Sequence, residues 1–400
     1  MKPVAIKDNV FWVGAVDWNS RDFHGYSLSP MGTTYNAYLL KDTKTTLFDT
    51  VKHTSKPEFL CRLSQALDGD LTKIDYIVVN HLEPDHAGCL PELVERAKPE
   101  KIFTSPMGKR AMDAHFHQTD WPVEVVKTGD SISLGENTVR FIETRMLHWP
   151  DSMVSYIPEK KLAICNDIFG QNIASSARFA DEANRAVLEH AMREYYANIV
   201  NPYSAVTLKT LDALAGMNLD IDMIAPDHGL IFRGDDVAYA MNSYRAFAEQ
   251  KPTAKAVIAY DTMWHSTEKM AEAIGQGLED AGIDVQIMWT KANHHSRIQT
   301  ELHNAGALIV GSPTHNNGIL PGVAALLTYV KGLRPLNKVG AAFGSFGWSG
   351  ESVKCISEHL ESMGVELVEG VKCKHVPDHE ALGQCYDLGQ AVAAALKAKL

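Results

Sequence analysis

Residues 75–86 read DYIVVNHLEPDH. A β-branched, apolar run breaks without warning into His81-Leu82-Glu83-Pro84-Asp85-His86. Tyr, Ile and Val favour a strand, and Asn80 marks its exit. Four potential metal ligands thus follow a strand's carboxyl end within six residues. If the segment stays extended, His81, Glu83 and Asp85 project to one side, because side chains alternate with period two. Ordinary turn polarity accounts poorly for such a cluster, whereas a ligand-bearing loop accounts for it directly.

Working outward, three other strand exits carry the same kinds of side chain. TVRFIETRMLHWPDS supplies His148, KLAICNDIFG supplies Asp167 and DMIAPDHGLIF supplies His228. Each alone reads as a turn residue. Together with the first cluster they give three histidines and three carboxylates, a set that suits two metal ions with one carboxylate between them.

The order and spacing resemble the metallo-β-lactamase superfamily, whose motif reads H-x-H-x-D-H followed by a distant His, Asp and His. Here Glu83 stands where that motif has its second histidine. Exchanging imidazole for carboxylate makes the ligand field harder and more anionic, which favours iron over zinc. The resulting H-x-E-x-D pattern resembles the flavodiiron proteins. That resemblance implies one iron held by His81, Glu83 and His148, another held by Asp85 and His228, and Asp167 bridging them. His86 matches a superfamily ligand, but the resemblance implies that it is turned away from the metal and packs behind the ligands. Segments such as TRMLHWPDSMVSY, NDIFGQNIAS and PDHGLIFRG are similar to the rubredoxin:oxygen oxidoreductase group of this family over nearly the whole chain. His24 and Tyr195 are carried over as the polar lining of a substrate pocket.

Up to Lys251-Pro252, short strand-like runs mix with helical stretches such as KPEFLCRLSQAL, LPELVERAK and FADEANRAVLEHAMREYYANIV. This layout fits an αββα sandwich of two sheets with helices outside. A proline disfavours helix in the residue before it, so the helix YAMNSYRAFAEQ is expected to end there. The boundary falls at residue 252, giving a metallo-β-lactamase-like diiron domain over 1–252. Over 253–400 the rhythm turns to β-α alternation: KAVIAYD, VQIMW, GALIVGS, KVGAAFGSF and VELVEGVKC, with amphipathic helices between. About five strands and five helices there read as a flavodoxin-like, doubly wound parallel sheet.

The first strand of that second domain exits into Asp261-Thr262-Met263-Trp264-His265-Ser266-Thr267 and then a helix. A single hydroxyl would serve as an N-cap. Three hydroxyls at a helix N-terminus suit a phosphate instead. Neither the dinucleotide fingerprint nor the Walker loop is present. The loop resembles the phosphate loop of flavodoxins. Two further strand exits, Pro313-Thr314-His315-Asn316-Asn317-Gly318 and Ser345-Phe346-Gly347-Trp348-Ser349-Gly350, should flank the same crevice. Their glycines allow close approach to a flat ring, and Phe346 or Trp348 offers stacking. FMN is the ligand implied.

Composition narrows the partners. A formal net charge of −11 argues against a nucleic-acid footprint. With 45% hydrophobic and 22% charged residues, the chain can build ordinary cores. No run of about 18 apolar residues and no signal-peptide pattern occurs, so a cytoplasmic protein without a membrane anchor is expected. The six cysteines form no C-x-x-C pair, which leaves no internal rubredoxin centre or iron–sulfur motif. Electrons must then enter from an external carrier, and the resemblance implies rubredoxin.

Two irons and FMN together match the four electrons that reduce O2 to water. The family also includes enzymes that couple two NO molecules to N2O, and the resemblance favours O2. A ~250-residue domain has a radius of gyration of about 18 Å, so cofactors on neighbouring domains can lie too far apart for efficient electron transfer. The resemblance implies a head-to-tail homodimer, or a dimer of dimers, that sets one subunit's FMN beside the other's irons. Two rivals are a zinc hydrolase fused to a flavodoxin, which Glu83 opposes, and a non-catalytic electron carrier, which the complete ligand set opposes.

Overall fold

The computed structural model describes every residue except 118 and 119. Its contacts divide it into two compact units. One comprises Met1–Phe23, Ser29–Tyr196 and Tyr203–Arg245, and the other His24–Leu28, Ala197–Pro202 and Ala246–Leu400.

In the first unit, a seven-stranded sheet runs Val4–Lys7, Val10–Trp12, Tyr38–Leu40, Thr46–Phe48, Tyr76–Val78, Lys101–Thr104 and Val123–Val125. Its early strands are antiparallel, and those from Thr46 onward pair in parallel. A six-stranded sheet follows, in the order Ser131–Ser133, Thr138–Glu143, Met153–Ile157, Leu162–Ile164, Met223–Ala225 and Phe232–Arg233. Alternation sends Tyr38, Phe48, Val78 and Phe103 of one sheet against Phe141, Met153, Leu162 and Ile164 of the other, forming the inter-sheet core. The opposite face of the first sheet takes Phe59, Leu63, Leu90, Leu93 and Met112 from three covering helices. Helices Ser204–Gly216 and Asp235–Glu249 lie over the second sheet. The result is the αββα sandwich.

Two local readings need correction. The stretch Phe179–Val200 is not one helix. A 3-10 turn at Ala180–Glu182 precedes an α-helix over Arg185–Tyr195, which widens to π pitch over Tyr196–Val200. Asn184 starts the α-helix because its side chain accepts from the Ala186 and Val187 amides at 3.0 and 3.3 Å. The segment after Asn80 is not extended throughout either. Pro84 opens a short helical turn over Pro84–Ala87 with Glu83 as its N-cap, since proline fits the first helical position.

The second unit contains a parallel sheet in the order Asp284–Trp289, Lys255–Tyr260, Ala307–Gly311, Val339–Phe346, whose far edge pairs with Glu366–Leu367 and Val371–Lys374. Helices Ser266–Asp280 and His379–Lys397 pack on one face, and three others on the opposite face. This is the doubly wound arrangement, with its switch point between the first and third strands in chain order. The helix before it, Asp235–Glu249, stops short of Lys251-Pro252, and Gln250 takes a left-handed conformation with φ 44°.

Candidate metal and flavin sites

The Pro84 turn decides how the His81–His86 segment works. In place of a single row of side chains, it divides them between two clusters. His81 and Glu83 group with His148 and Asp167, while Asp85 and His86 group with His228. All seven side chains are buried. The metal-ligating types thus come from one loop on the first sheet and three loops at strand ends of the second.

Distances fix the arrangement. Glu83 Oε2 lies 3.2 Å from both His81 Nε2 and His148 Nε2. Asp167 Oδ2 lies 2.9 Å from His148 Nε2 and 3.4 Å from His81 Nε2. Its other oxygen, Oδ1, lies 3.1 Å from His86 Nε2 and 3.5 Å from His228 Nε2. Asp85 Oδ2 stands 3.2 Å from His228 Nε2. Asp167 therefore presents one oxygen to each cluster. It does so from a four-residue turn, Cys165-Asn166-Asp167-Ile168, closed by the Ile168 amide on the Cys165 carbonyl at 3.2 Å, with Asn166 at φ 47°.

Both oxygens of Asp85, Oδ1 of Asp167, both ring nitrogens of His86 and Nε2 of His228 make no hydrogen bond of proper geometry although they are buried. Buried polar atoms are normally satisfied. In the Asp85, His86 and His228 cluster donor atoms within 4.8 Å of one another converge without bonding, as ligands around cations do. The mixed set of four imidazoles and three carboxylates fits two iron ions.

Backing groups orient the ligands. Asp151 Oδ2 accepts from His81 Nδ1 at 3.1 Å and from the Leu82 amide at 2.6 Å. The Thr34 carbonyl accepts from His228 Nδ1 at 2.6 Å. Each contact places the ring proton on Nδ1 and leaves the Nε2 lone pair for the site. Asp49 accepts from the Asn80 amide at 2.7 Å and its side-chain nitrogen at 2.6 Å, anchoring the start of the loop. Burial pushes the Asp49 carboxyl up to about 6. It also pushes the fully buried Asp227 well up, with Asp49 adding to the effect, and Asp227 lies 3.7 Å from His86 Nδ1.

The titration of the clusters is reciprocal. Burial opposes charge on His148, yet its hydrogen bonds to Asp167 and Glu83 carry it up to about 9. Burial likewise opposes the Asp167 carboxylate, but His86 and its other imidazole neighbours hold it well below the ordinary range.

Tyr195 ends its α-helix with the ring centroid 5.8 Å from that of His228, and its buried hydroxyl makes no hydrogen bond. Gly170 makes room for that ring: a Cβ there would meet Tyr195 Cζ at 2.8 Å. His24 groups with the other compact unit, at φ 62° and with its ring stacked on Tyr26 at 5.7 Å.

In the second unit, a cavity of ≈510 Å³ opens at the carboxyl ends of the parallel strands. Thr262, Met263, Trp264, Ser266, Pro313, Thr314, Ser345, Phe346, Gly347 and Trp348 line it. Helix Ser266–Asp280 begins there after His265, which is left-handed at φ 64° and provides no side-chain cap. His265 turns to Glu268 instead, 2.6 Å away. The hydroxyls are therefore not spent on capping, and the first amides of a 15-residue helix are left without a side-chain cap. Thr267 is buried, its Oγ1 3.3 Å from Ser345 Oγ. Trp264 and Trp348 are 86% and 90% exposed, free to cover a flat ring. These features fit FMN.

His265, Thr267, His315, Asn316, Asn317, Gly318, Ser349 and Gly350, expected at the same crevice, are not among the residues that line the cavity. His315 and Gly318 exchange backbone hydrogen bonds across Asn316 and Asn317, both left-handed, in a type I′ turn. Ser349 and Gly350 follow, and Gly350 at φ 84° packs against the Phe346 ring. The lining also includes His375 and Val376, which the sequence reading missed. They follow strand Val371–Lys374, whose pairing beside Val339–Phe346 was the signal available.

Comparison with known proteins agrees in both halves. The ODP family beta lactamase model matches residues 33–229, and the Flavodoxin model matches residues 258–389. The rubredoxin-oxygen oxidoreductase of Megalodesulfovibrio gigas is 59% identical over 402 residues, covering 100% of both chains. The nitric oxide reductase of Moorella thermoacetica is 46% identical over 396 residues, covering 98% of both. The crystal structure of the flavodiiron protein from Giardia intestinalis superposes with a TM-score of 0.95 at 31% identity, covering 100% of this chain and 98% of that one.

Proposed function

Because the chain belongs to the flavodiiron protein family, we propose that it takes electrons from rubredoxin through FMN to a non-haem diiron site and reduces O2 to water. The observation that carries this reading is Asp167, with one oxygen facing each of two carboxylate-containing clusters in a chain that also has a flavodoxin-type cavity. We assign His81, Glu83 and His148 to one iron, Asp85 and His228 to the other, and Asp167 to both. His86 groups with Asp85 and His228, against the expectation that it is turned away, and we add it to their iron as a further donor. The natural domain boundary is taken as residue 252, with 1–252 holding iron and 253–400 holding FMN.

When bound, the two irons and FMN supply the electrons and the Lewis acidity for reducing the gas. The chain's residues do the rest. Carboxylates offset the cationic charge, Asp151 and the Thr34 carbonyl fix ring orientation, and the apolar packing around the clusters limits water. Tyr195 lends its unpaired hydroxyl to the substrate's oxygen, and the family likeness gives His24 the same role. Thr262, Ser266 and Thr267 hold the flavin phosphate, and the exposed tryptophans cover its ring.

A head-to-tail homodimer, or a dimer of dimers, would bring one subunit's flavin near the other's irons. Among the described residues no helix is long and apolar enough to cross a membrane, which accords with the proposed cytoplasmic location. Nitric oxide reduction at the same site is the second reading, favoured by the relative of that name at 46% identity. The deciding experiment is an anaerobic steady-state assay with reduced rubredoxin, comparing O2 with NO. Consumption of O2 to water as the faster reaction supports the proposal. Consumption of neither gas by protein carrying two irons and FMN overturns it.

A further inference from the structure

Strands Val4–Lys7, Val10–Trp12 and Ala15–Asp17, helix Lys56–Ala66 and the segment 175–182 border a solvent-open cleft of ≈570 Å³. It shares no residue with the metal clusters or the flavin cavity. Val4, Val16 and the exposed Trp18 give it apolar walls. Arg62 and Arg178 give it charge, and both guanidiniums lie over the Trp12 ring, 4.7 and 4.3 Å from its centroid. Like charges gathered over one ring repel each other and call for anions nearby. An apolar cleft with a few convergent polar groups is the usual form of a small-molecule site.

The cleft's own carboxylates compensate Arg62 and not Arg178. Glu58 Oε1 accepts from Arg62 Nη2 at 2.7 Å, one helical turn away. Glu182 Oε2 accepts from the backbone amides of Arg178 and Phe179 at 3.0 and 3.3 Å, and its Oε1 lies 3.4 Å from Arg233 Nη2. Arg178 is only 8% exposed, yet its guanidinium makes one hydrogen bond among the described residues, from Nη2 to the Ser175 carbonyl. A buried charge is ordinarily paired. Stacking on Trp12 serves the flat faces of the guanidinium and leaves its edge, with Nε and Nη1, to bind something else. Arg62 Nε is likewise buried without a partner. Burial pulls the Arg178 guanidinium down to about 10, and Arg62 adds to the pull, as befits a cation short of a counter-charge. We propose that this cleft binds a small organic monocarboxylate, its carboxylate on Arg178 and its apolar body against Trp18 and the two valines. The planar guanidinium fork matches a carboxylate. One uncompensated cation beside two wall carboxylates suits a single negative charge and repels the second charge of a phosphate.

Benzoate is the probe, titrated calorimetrically into the protein carrying iron and FMN. It should bind at one site per chain, and a soaked crystal should place its carboxylate on Arg178. Neutral benzamide should not bind, and inorganic phosphate should bind more weakly than benzoate. Arg178→Met keeps a stem on Trp12 and removes the fork, so it should weaken benzoate binding roughly tenfold or more. Should that variant fail to fold, Trp18→Ala alters only an exposed wall and should weaken binding several-fold. Iron and FMN content should match the wild type in both. Benzoate bound nowhere or only at the irons, benzamide binding as well as benzoate, or phosphate binding more tightly overturns the proposal. So does benzoate affinity that survives in a folded Arg178→Met protein or in Trp18→Ala. None of these readouts measures gas consumption, so failure of the functional reading would leave the cleft's ligand to be judged by itself.

Discussion

Asp151 grips His81 from behind, its Oδ2 3.1 Å from the ring Nδ1 and 2.6 Å from the Leu82 amide. One carboxylate oxygen therefore fixes both the imidazole and the backbone of the loop carrying four of the candidate ligands. Groups of this kind are worth about 10- to 100-fold in metal affinity. Asp151→Ala should weaken iron retention by that order against a competing chelator, with far-ultraviolet circular dichroism unchanged. Asp151→Asn, which still accepts from the ring, should recover part of the loss. Wild-type iron affinity in Asp151→Ala would show that the ring is held by other means.

Glu83 sets the metal. Restoring imidazole there with Glu83→His makes the first cluster richer in nitrogen, which suits zinc. Protein expressed in medium containing both metals should shift its content from iron toward zinc, measured by mass spectrometry of the metals. Oxygen consumption should fall accordingly. Unchanged iron content would mean that the surrounding carboxylates alone choose the metal.

The flavin phosphate loop gives a separate test. Thr267 is buried, and its hydroxyl reaches Ser345 at 3.3 Å. Thr267→Val keeps the shape and removes the donor. Loss of one hydrogen bond to a charged group should weaken FMN binding roughly tenfold or more, read by flavin fluorescence on titration of the FMN-free protein. Iron content should not change.

Lys338 makes a prediction about pH. It is buried beneath the parallel sheet, where Nζ donates to the His303 carbonyl at 3.3 Å and to that of Ala305. Burial pulls its ammonium down to about 7. Between that value and about 10.4, the ordinary lysine value, the unfolded chain holds a proton that the folded chain does not. Folding stability must therefore rise with pH across this window and level off below it. The flavodoxin-like domain's melting temperature should climb from pH 7 to pH 9, and Lys338→Met should flatten the climb. Each kcal/mol recovered is worth about 2–4 °C at such a domain size.

Much of this was legible in the chain because ligands and phosphate loops sit at strand exits, where an apolar run stops and the chemistry begins. His148, Asp167 and His228 could each be found that way. The division of the His81–His86 segment was not legible from alternation, since Pro84 starts a helical turn that period-two reasoning ignores. Asp151, Asp49 and Asp227 escaped notice for another reason: nothing in a sequence says which strand end meets which. His375 and Val376 stand behind a strand whose place at the sheet edge only pairing reveals. The widened turn after Tyr195 follows from no propensity we can name.

The two clusters draw on residues as far apart as His81 and His228, and on both sheets of the sandwich. Ions bound there would act as a clasp across the fold, closing loops of well over a hundred residues at a single point. Closing so long a loop is entropically dear to an open chain and nearly free once the sheets have met. The metal centre is thus a late guest in folding and a strong brake on unfolding. A flavin, held by loops from Thr262 to Val376, would tie together strands of one sheet only.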